Sequence, residues 1–153
     1  MSEYKLAEEI IGRSVADTWD EAKLEWTLDE IYEVKEPRTC LCGHFPIVEI
    51  CVLKNKVNGQ RAVVGNCCVK KFMGLPSQKL FDAIKRVSAD ESKALNAETL
   101  EHAHRKGWIN DWEHRFYCDT MRKRKPSDKQ LAKRIQINRK VLAQLTKERT
   151  APQ

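Results

Sequence analysis

Five of the six cysteines lie between Cys40 and Phe72, in a stretch that begins Cys40-Leu41-Cys42-Gly43-His44 and ends Gly65-Asn66-Cys67-Cys68-Val69-Lys70-Lys71-Phe72. Deprotonated thiols and neutral imidazoles are the donors from which a tetrahedral Zn2+ site is built. Cys40 and Cys42 supply one ligand pair on a tight Cys-x-Cys-Gly turn. Cys68 is the third ligand, at the start of a predicted helix whose free N–H groups favour a thiolate. For the fourth, His44 ranks ahead of Cys67, which adjoins Cys68 but projects about a hundred degrees away round a helix. Cys51, Asn55 or a more distant residue are further alternatives, and Cys51 also suits the role of a small buried hydrophobe. With no apolar leader at the N-terminus and the thiols clustered, metal binding is expected in preference to disulfides. His114 and Cys118, four apart, would share a helical face as a second ligand pair. His102 and His104, two apart, should diverge and read as solvated.

Reacting constellations are sparse. The chain has no Gly-rich phosphate loop, no HExxH and no GxSxG. It lacks both halves of the zinc-deaminase pattern. Glu49 is the one carboxylate between Cys40 and Phe72, so a zinc there has no neighbouring acid–base pair. Asp111, Glu113 and His114 could be gathered into a metal-dependent nuclease site, without evident supporting partners. The enzyme readings therefore rank below a binding role.

The net charge of +6 conceals a polarity. Residues 1–38 carry eleven acidic and five basic side chains, whereas residues 121–150 carry eleven basic and two acidic ones. Such asymmetry points to a polyanion-binding end, and nucleic acid is the commonest candidate. Lys70 and Lys71 beside Cys68, with Arg122, Lys123, Arg124, Lys133, Arg134, Arg139 and Lys140 toward the C-terminus, are the candidate phosphate contacts. No recognition-helix or RNA-binding aromatic pattern predicts base selectivity. The competing reading is an adaptor or inhibitor that binds a host protein through the acidic segment and the basic end. No apolar run is long enough to cross a bilayer, and a soluble, cytoplasmic protein is expected.

The elements that must hold these residues follow from periodicity and turn chemistry. Residues 3–12 predict a short helix with Leu6, Ile10 and Ile11 on one side. The run from Asp17 to Val34 predicts a second helix with Trp19, Ala22, Trp26 and Ile31 near helical spacing and the two tryptophans in the core. Ile47–Leu53 reads as a strand covered on both faces, Asn58–Gly59 as a turn and Gln60–Val64 as the returning strand. Gly65 permits a close approach, and Asn66 is placed to cap the helix that runs from Cys67 until Gly74 and Pro76 interrupt it. Further helices are expected over 77–87 (Leu80, Phe81, Ile84 and Val87 inward, Ser77 as cap), in part of 90–105, and over 108–117 with Trp108, Ile109, Trp112, Phe116 and Tyr117 as a core stripe. Ser127 should cap a last helix, over 128–148, that buries Leu131, Ile135, Leu142 and Leu145.

The order Cys40-x-Cys42-Gly43, hairpin with Asn58-Gly59, then Val64-Gly65-x-x-Cys68-x-x-x-Phe72 resembles a loosely defined group of small treble-clef-like zinc domains in phage, viral and mobile-element proteins. The resemblance covers about a fifth of the chain. It implies a structural Zn2+ with Cys40, Cys42 and Cys68 among its ligands, and an association with DNA-processing modules. Relatives often carry a histidine where this chain has Lys54–Asn55. The fold class expected is α+β: a mostly helical single domain built around a zinc-stapled β-hairpin and helix. Its segments would be 1–38 (acidic, helical), 39–74 (zinc-binding), 75–120 (helical core) and 121–153 (basic linker and helix). The function expected is that of a zinc-binding accessory protein that contacts DNA or RNA non-specifically.

Overall fold

The computed structural model describes residues 3–145, which form two compact units, 3–78 and 79–145. The first is α+β and the second is helical.

In the first unit α1 (Glu3–Gly12) buries Leu6 and Ile10, while Ile11 is half-buried. The helix expected over Asp17 to Val34 is confined to α2 (Trp19–Ala22) and a 3-10 turn at Lys23–Glu25, after which β1 (Trp26–Arg38) begins. The misreading has a physical cause. The β1 register shifts between Leu28 and Glu30, so the buried positions Leu28, Ile31 and Tyr32 fall at i, i+3 and i+4. A bulge inserts one residue and breaks strict alternation, which here imitates helical periodicity. Trp26 is buried and Trp19 half-buried. Pro37 lies within β1 where the ladder is interrupted between Glu33 and Arg38, a place where a residue without an N–H is tolerated.

β2 (Ile47–Asn55) and β3 (Arg61–Gly65) complete an antiparallel sheet of order β1-β2-β3, and β3 runs directly into a short helical turn, α3 (Asn66–Cys68). As its apolar run predicts, the central strand is covered on both faces: Ile50, Cys51, Val52 and Leu53 are fully buried. Tyr32 lies opposite Ile50 and joins Val34, Ile50 and Val52 in one core cluster. Ile31, Cys51 and Val64 lie in register on the other face. Gly59, with φ of 77°, makes the hairpin turn, and the Asn55 side chain accepts from Val57 and Asn58 N–H at 2.8 and 3.1 Å.

A buried carboxylate ties the helical end of this unit to the hairpin. Glu25 accepts from the N–H groups of Val15 (2.9 Å) and Ala16 (2.7 Å) and from the Asn55 amide (2.9 Å). Asn58 completes the link by donating to the Arg13 carbonyl at 2.9 Å. The Val15 N–H, then Asn55 and the Ala16 N–H, hold the Glu25 carboxyl below its ordinary value, against the opposing effect of burial.

α4 (Ser77–Ala89) leads into the second unit, with Leu80, Phe81, Ile84 and Val87 buried as expected. α5 (Ala97–Arg105) is capped by Asn96, α6 (Asp111–Thr120) by an Asn110–Glu113 capping box, and α7 (Asp128–Leu145) by Ser127, which accepts from Gln130 N–H at 3.2 Å. Of the aromatic stripe, Ile109 and Tyr117 are buried; Trp112 is 57% exposed and stacked on Phe116. The buried side of α7 is Arg134, Ile137, Asn138, Val141 and Leu145, rotated from the expected Leu131–Ile135–Leu142 stripe. Polar residues cause the rotation. Asn138 accepts from the Tyr117 hydroxyl at 2.6 Å and donates to the carbonyls of Glu91 and Lys93, while Arg134 donates to the carbonyls of Thr120 (2.8 Å) and Ser92 (3.2 Å). These bonds seat the loop between α4 and α5 on α7.

Two outcomes follow. Because the folded carboxyl of Glu25 titrates below its ordinary value of 4.5, its stabilising effect is complete above that value and is lost as pH falls through the folded one. Glu25→Gln should therefore be less stable than the parent at pH 7, with the difference closing in acid, as measured by urea denaturation across pH. Arg134→Ala should destabilise by about 2 kcal/mol, the scale for losing charged hydrogen bonds that satisfy buried carbonyls, whereas Arg124→Ala, at an exposed position, should be neutral in the same assay.

Candidate metal centre

Cys40 follows β1, Cys42 lies in the turn toward β2, and Cys68 ends α3, directly after β3. The turn closes through Gly43 N–H to the Cys40 carbonyl (2.8 Å) and Cys40 N–H to the His44 carbonyl (2.9 Å), and Gly43 takes φ of 91°. That left-handed conformation favours glycine. Leu41 N–H donates to the Val63 carbonyl at 3.3 Å, which lays the turn against β3.

The three sulfurs lie within 4.8 Å of one another and all three residues are buried. Cys42 Sγ is 3.5 Å from Cys68 Sγ. Thiolates bound to one tetrahedral zinc at about 2.3 Å would be separated by about 3.8 Å, so the spacing suits a shared metal. Gly65 N–H donates to Cys40 Sγ at 3.3 Å, the kind of outer hydrogen bond that orients a thiolate ligand. A Cβ on Gly65 would meet Ile47 Cγ2 at 3.0 Å; the absent side chain is what lets β3 turn into α3 beside the sulfurs. Burial pushes the thiol pKa values of Cys40 and Cys68 up; Cys40 and Cys42 add to the rise at Cys68, and at Cys40 the Gly65 N–H opposes it while the Cys42 sulfur adds to it. Three clustered thiolates in such a place need a cation, so the donor set fits a divalent metal and binding would release protons.

Asn66 does not cap its helix by its side chain; Gly65 occupies the cap position. The buried Asn66 amide instead accepts from the Ser77 hydroxyl (2.6 Å), the residue expected to cap α4, and donates to Glu49 (3.1 Å) and Gln78 (3.0 Å). After Cys68 the chain widens into a π-helical turn, Val69–Met73, closed by Gly74 at φ of 68°.

The other candidates fall elsewhere. His44 and Cys67 are exposed and stand outside the sulfur cluster. Cys51 is fully buried opposite Val64, its thiol pushed up to about 12 by burial. Asn55 is committed to Glu25 and the hairpin loop. Cys118 Sγ lies 3.7 Å from His114 Nε2, and His114 stacks on His104 at 4.3 Å. His102 and His104 are not the solvated pair expected: His102 is buried edge-on against Trp108, and His104 pairs with Asp111 at 2.7 Å. Asp111, Glu113 and His114 do not form a ligand group. Glu113 is taken up by its capping box and by Lys140. Among the described residues the cysteine triad is the one cluster of at least three such donors.

Much of the expected phosphate-binding surface of α7 is engaged within its own unit. Arg134 is buried, Arg139 makes two 2.8 Å bonds to Glu91, Lys140 pairs with Glu113 at 2.9 Å, and Lys133 lies 5.4 Å over the Trp112 ring. Lys70, Lys71, Arg122, Lys123 and Arg124 are exposed. Sequence reasoning missed a second set of cations, Lys5, Arg13, Arg38 and Arg61, which border a common concavity; they are scattered through a region whose net charge is acidic, so composition conceals them. Comparison with family models, with curated proteins and with solved structures gives no match.

Gly65→Ala should destabilise the first unit by about 1–3 kcal/mol, the scale of an overpacked site, and should weaken metal binding; denaturation in the presence and absence of zinc measures both.

Proposed function

We infer that this chain is a zinc-stapled accessory protein that binds nucleic acid through its phosphates. The observation that carries the reading is the convergence of three buried thiols from a Cys-x-Cys turn and a helix start. Turn, hairpin and helix start occur in the order of a treble-clef-like zinc domain of the phage, viral and mobile-element kind. β1, which precedes the turn and pairs with the hairpin, is an addition to that plan. Zinc suits the donor set best: thiolates favour it over hard oxygen-seeking cations, and it brings no redox chemistry. Cys40, Cys42 and Cys68 would hold the ion, with His44, Cys67 or a water as the fourth ligand. Bound there, zinc fixes the turn to the sheet and contributes folding free energy directly.

The nucleic-acid part of the reading is supported by exposed cations: Lys70 and Lys71 just after Cys68 and, separately, Arg122–Arg124 between α6 and α7. Phosphate contacts of this kind give affinity and salt dependence with little base selectivity. Arg134, Arg139 and Lys140, with their internal partners, are better understood as structural.

Anisotropy of a labelled single-stranded and a duplex DNA tests the reading at several salt concentrations. Changing Lys70, Lys71, Arg122, Lys123 and Arg124 together to alanine should weaken binding at least tenfold. It should also flatten the dependence on log salt, by about 0.7–0.9 for each phosphate that is no longer neutralised. Absence of binding to both probes at low salt would contradict the reading and favour a protein-binding adaptor.

A further inference from the structure

Lys5 and Glu9 are one helical turn apart on α1, and Arg13 follows one turn later, just past the helix end. Arg38 closes β1, Thr39, Cys40 and Leu41 lead into the Cys-x-Cys turn, and Arg61 opens β3. All border a single concavity of about 450 Å³ within the first unit. Its charged wall is four cations and one carboxylate, and its remaining wall is built from Leu41, Ala62 and Val63 beside Thr39 and Cys40. Three of its four cations, Lys5, Arg13 and Arg38, come from the acidic segment 1–38, and the fourth, Arg61, from the hairpin.

We propose that the pocket binds a phosphate ester, with its phosphate among Lys5, Arg13, Arg38 and Arg61 and its sugar against Leu41 and Val63. Two of the cations are already oriented. Arg13 donates to the Glu9 carboxylate at 2.6 Å and to the Glu9 carbonyl at 3.0 Å, and Arg61 reaches Asp29 at 2.9 Å. Each guanidinium carries five N–H donors in a planar fork, so these bonds leave capacity for a phosphate. Their side chains stay about a third exposed, at 36% and 35%. Lys5 reaches over the cysteine turn: a Cβ on Gly43 would sit 3.0 Å from its Nζ. The volume lies within the range of pockets that enclose a small organic ligand, which suits a nucleotide-sized phosphate ester better than a bare ion. A planar fork recognises phosphate oxygens in pairs, and the apolar patch accounts for why the site would prefer an ester. The proposal is independent of strand binding through Lys70, Lys71 and Arg122–Arg124. A phosphate ester could come from a free nucleotide or from a nucleic-acid strand.

The test titrates the full-length, zinc-loaded protein with inorganic phosphate, a nucleoside 5′-monophosphate, and a short DNA oligonucleotide with and without a 5′-phosphate. The monophosphate, the 5′-phosphorylated strand or both should bind at least tenfold more tightly than inorganic phosphate. The combined Lys5→Gln and Arg38→Gln variant should lose that binding at least tenfold while keeping its zinc content and circular dichroism. Retained nucleotide binding without strand binding would support the pocket and contradict the strand-binding function. Strand binding that depends on Lys70, Lys71 and Arg122–Arg124 but ignores both Gln substitutions, with no monophosphate binding, would overturn the pocket alone. Variants that bind every probe like the parent would also overturn it.

Discussion

Three sulfurs, two from one turn and one from the far end of the following hairpin, share a buried volume less than 4.8 Å across. Nothing apolar about that arrangement stabilises it; thiols packed this closely are kept neutral by burial unless a cation balances them. The local backbone is built to bring the sulfurs together. Gly43 adopts a left-handed conformation so that the turn can close, and Gly65 has no side chain because Ile47 leaves no room for one. Asn66 commits its side chain to Glu49, Ser77 and Gln78 in place of capping a helix. The central strand β2, buried on both faces, follows the turn and pairs with β3, from which the helix start continues.

The second unit solves a different problem. Its charged last helix is held to a loop by polar groups that a hydrophobic pattern does not reveal. Asn138 and Arg134 satisfy four backbone carbonyls between them, and Arg139 and Lys140 neutralise Glu91 and Glu113. A buried arginine is tolerated when its donors find acceptors, as Arg134 does in the carbonyls of Thr120 and Ser92. The basic character of residues 121–145 is thus divided between structure on α7 and exposed charge before it.

What could be read from the chain was what local chemistry determines. The cysteine turn, the hairpin signalled by Asn58–Gly59, the doubly covered β2, the apolar side of α4 and the Ser127 cap each depend on a few neighbouring residues. What escaped depends on distant partners. β1 passes for a helix because a bulge places Leu28, Ile31 and Tyr32 at helical intervals, and only its pairing with β2 makes it a strand. Leu131, Ile135 and Leu142 yield the inward face of α7 to Arg134 and Asn138 because the acceptors for those side chains lie on a loop some forty residues earlier. Composition likewise averaged away Lys5, Arg13, Arg38 and Arg61, which only the fold gathers round one cavity. The clustering of Cys40, Cys42 and Cys68 was legible because metal ligation restricts residue type; a fourth donor was not, because His44 and Cys67 are both adjacent in sequence and both exposed.

Whether those three sulfurs share a metal is read by native mass spectrometry of the intact chain, purified without added metal. One zinc per chain is predicted, lost when Cys40, Cys42 or Cys68 is changed to serine, with loss of amide protection across β2 and β3 by hydrogen exchange. A metal-free chain whose sheet amides remain protected would contradict a shared metal.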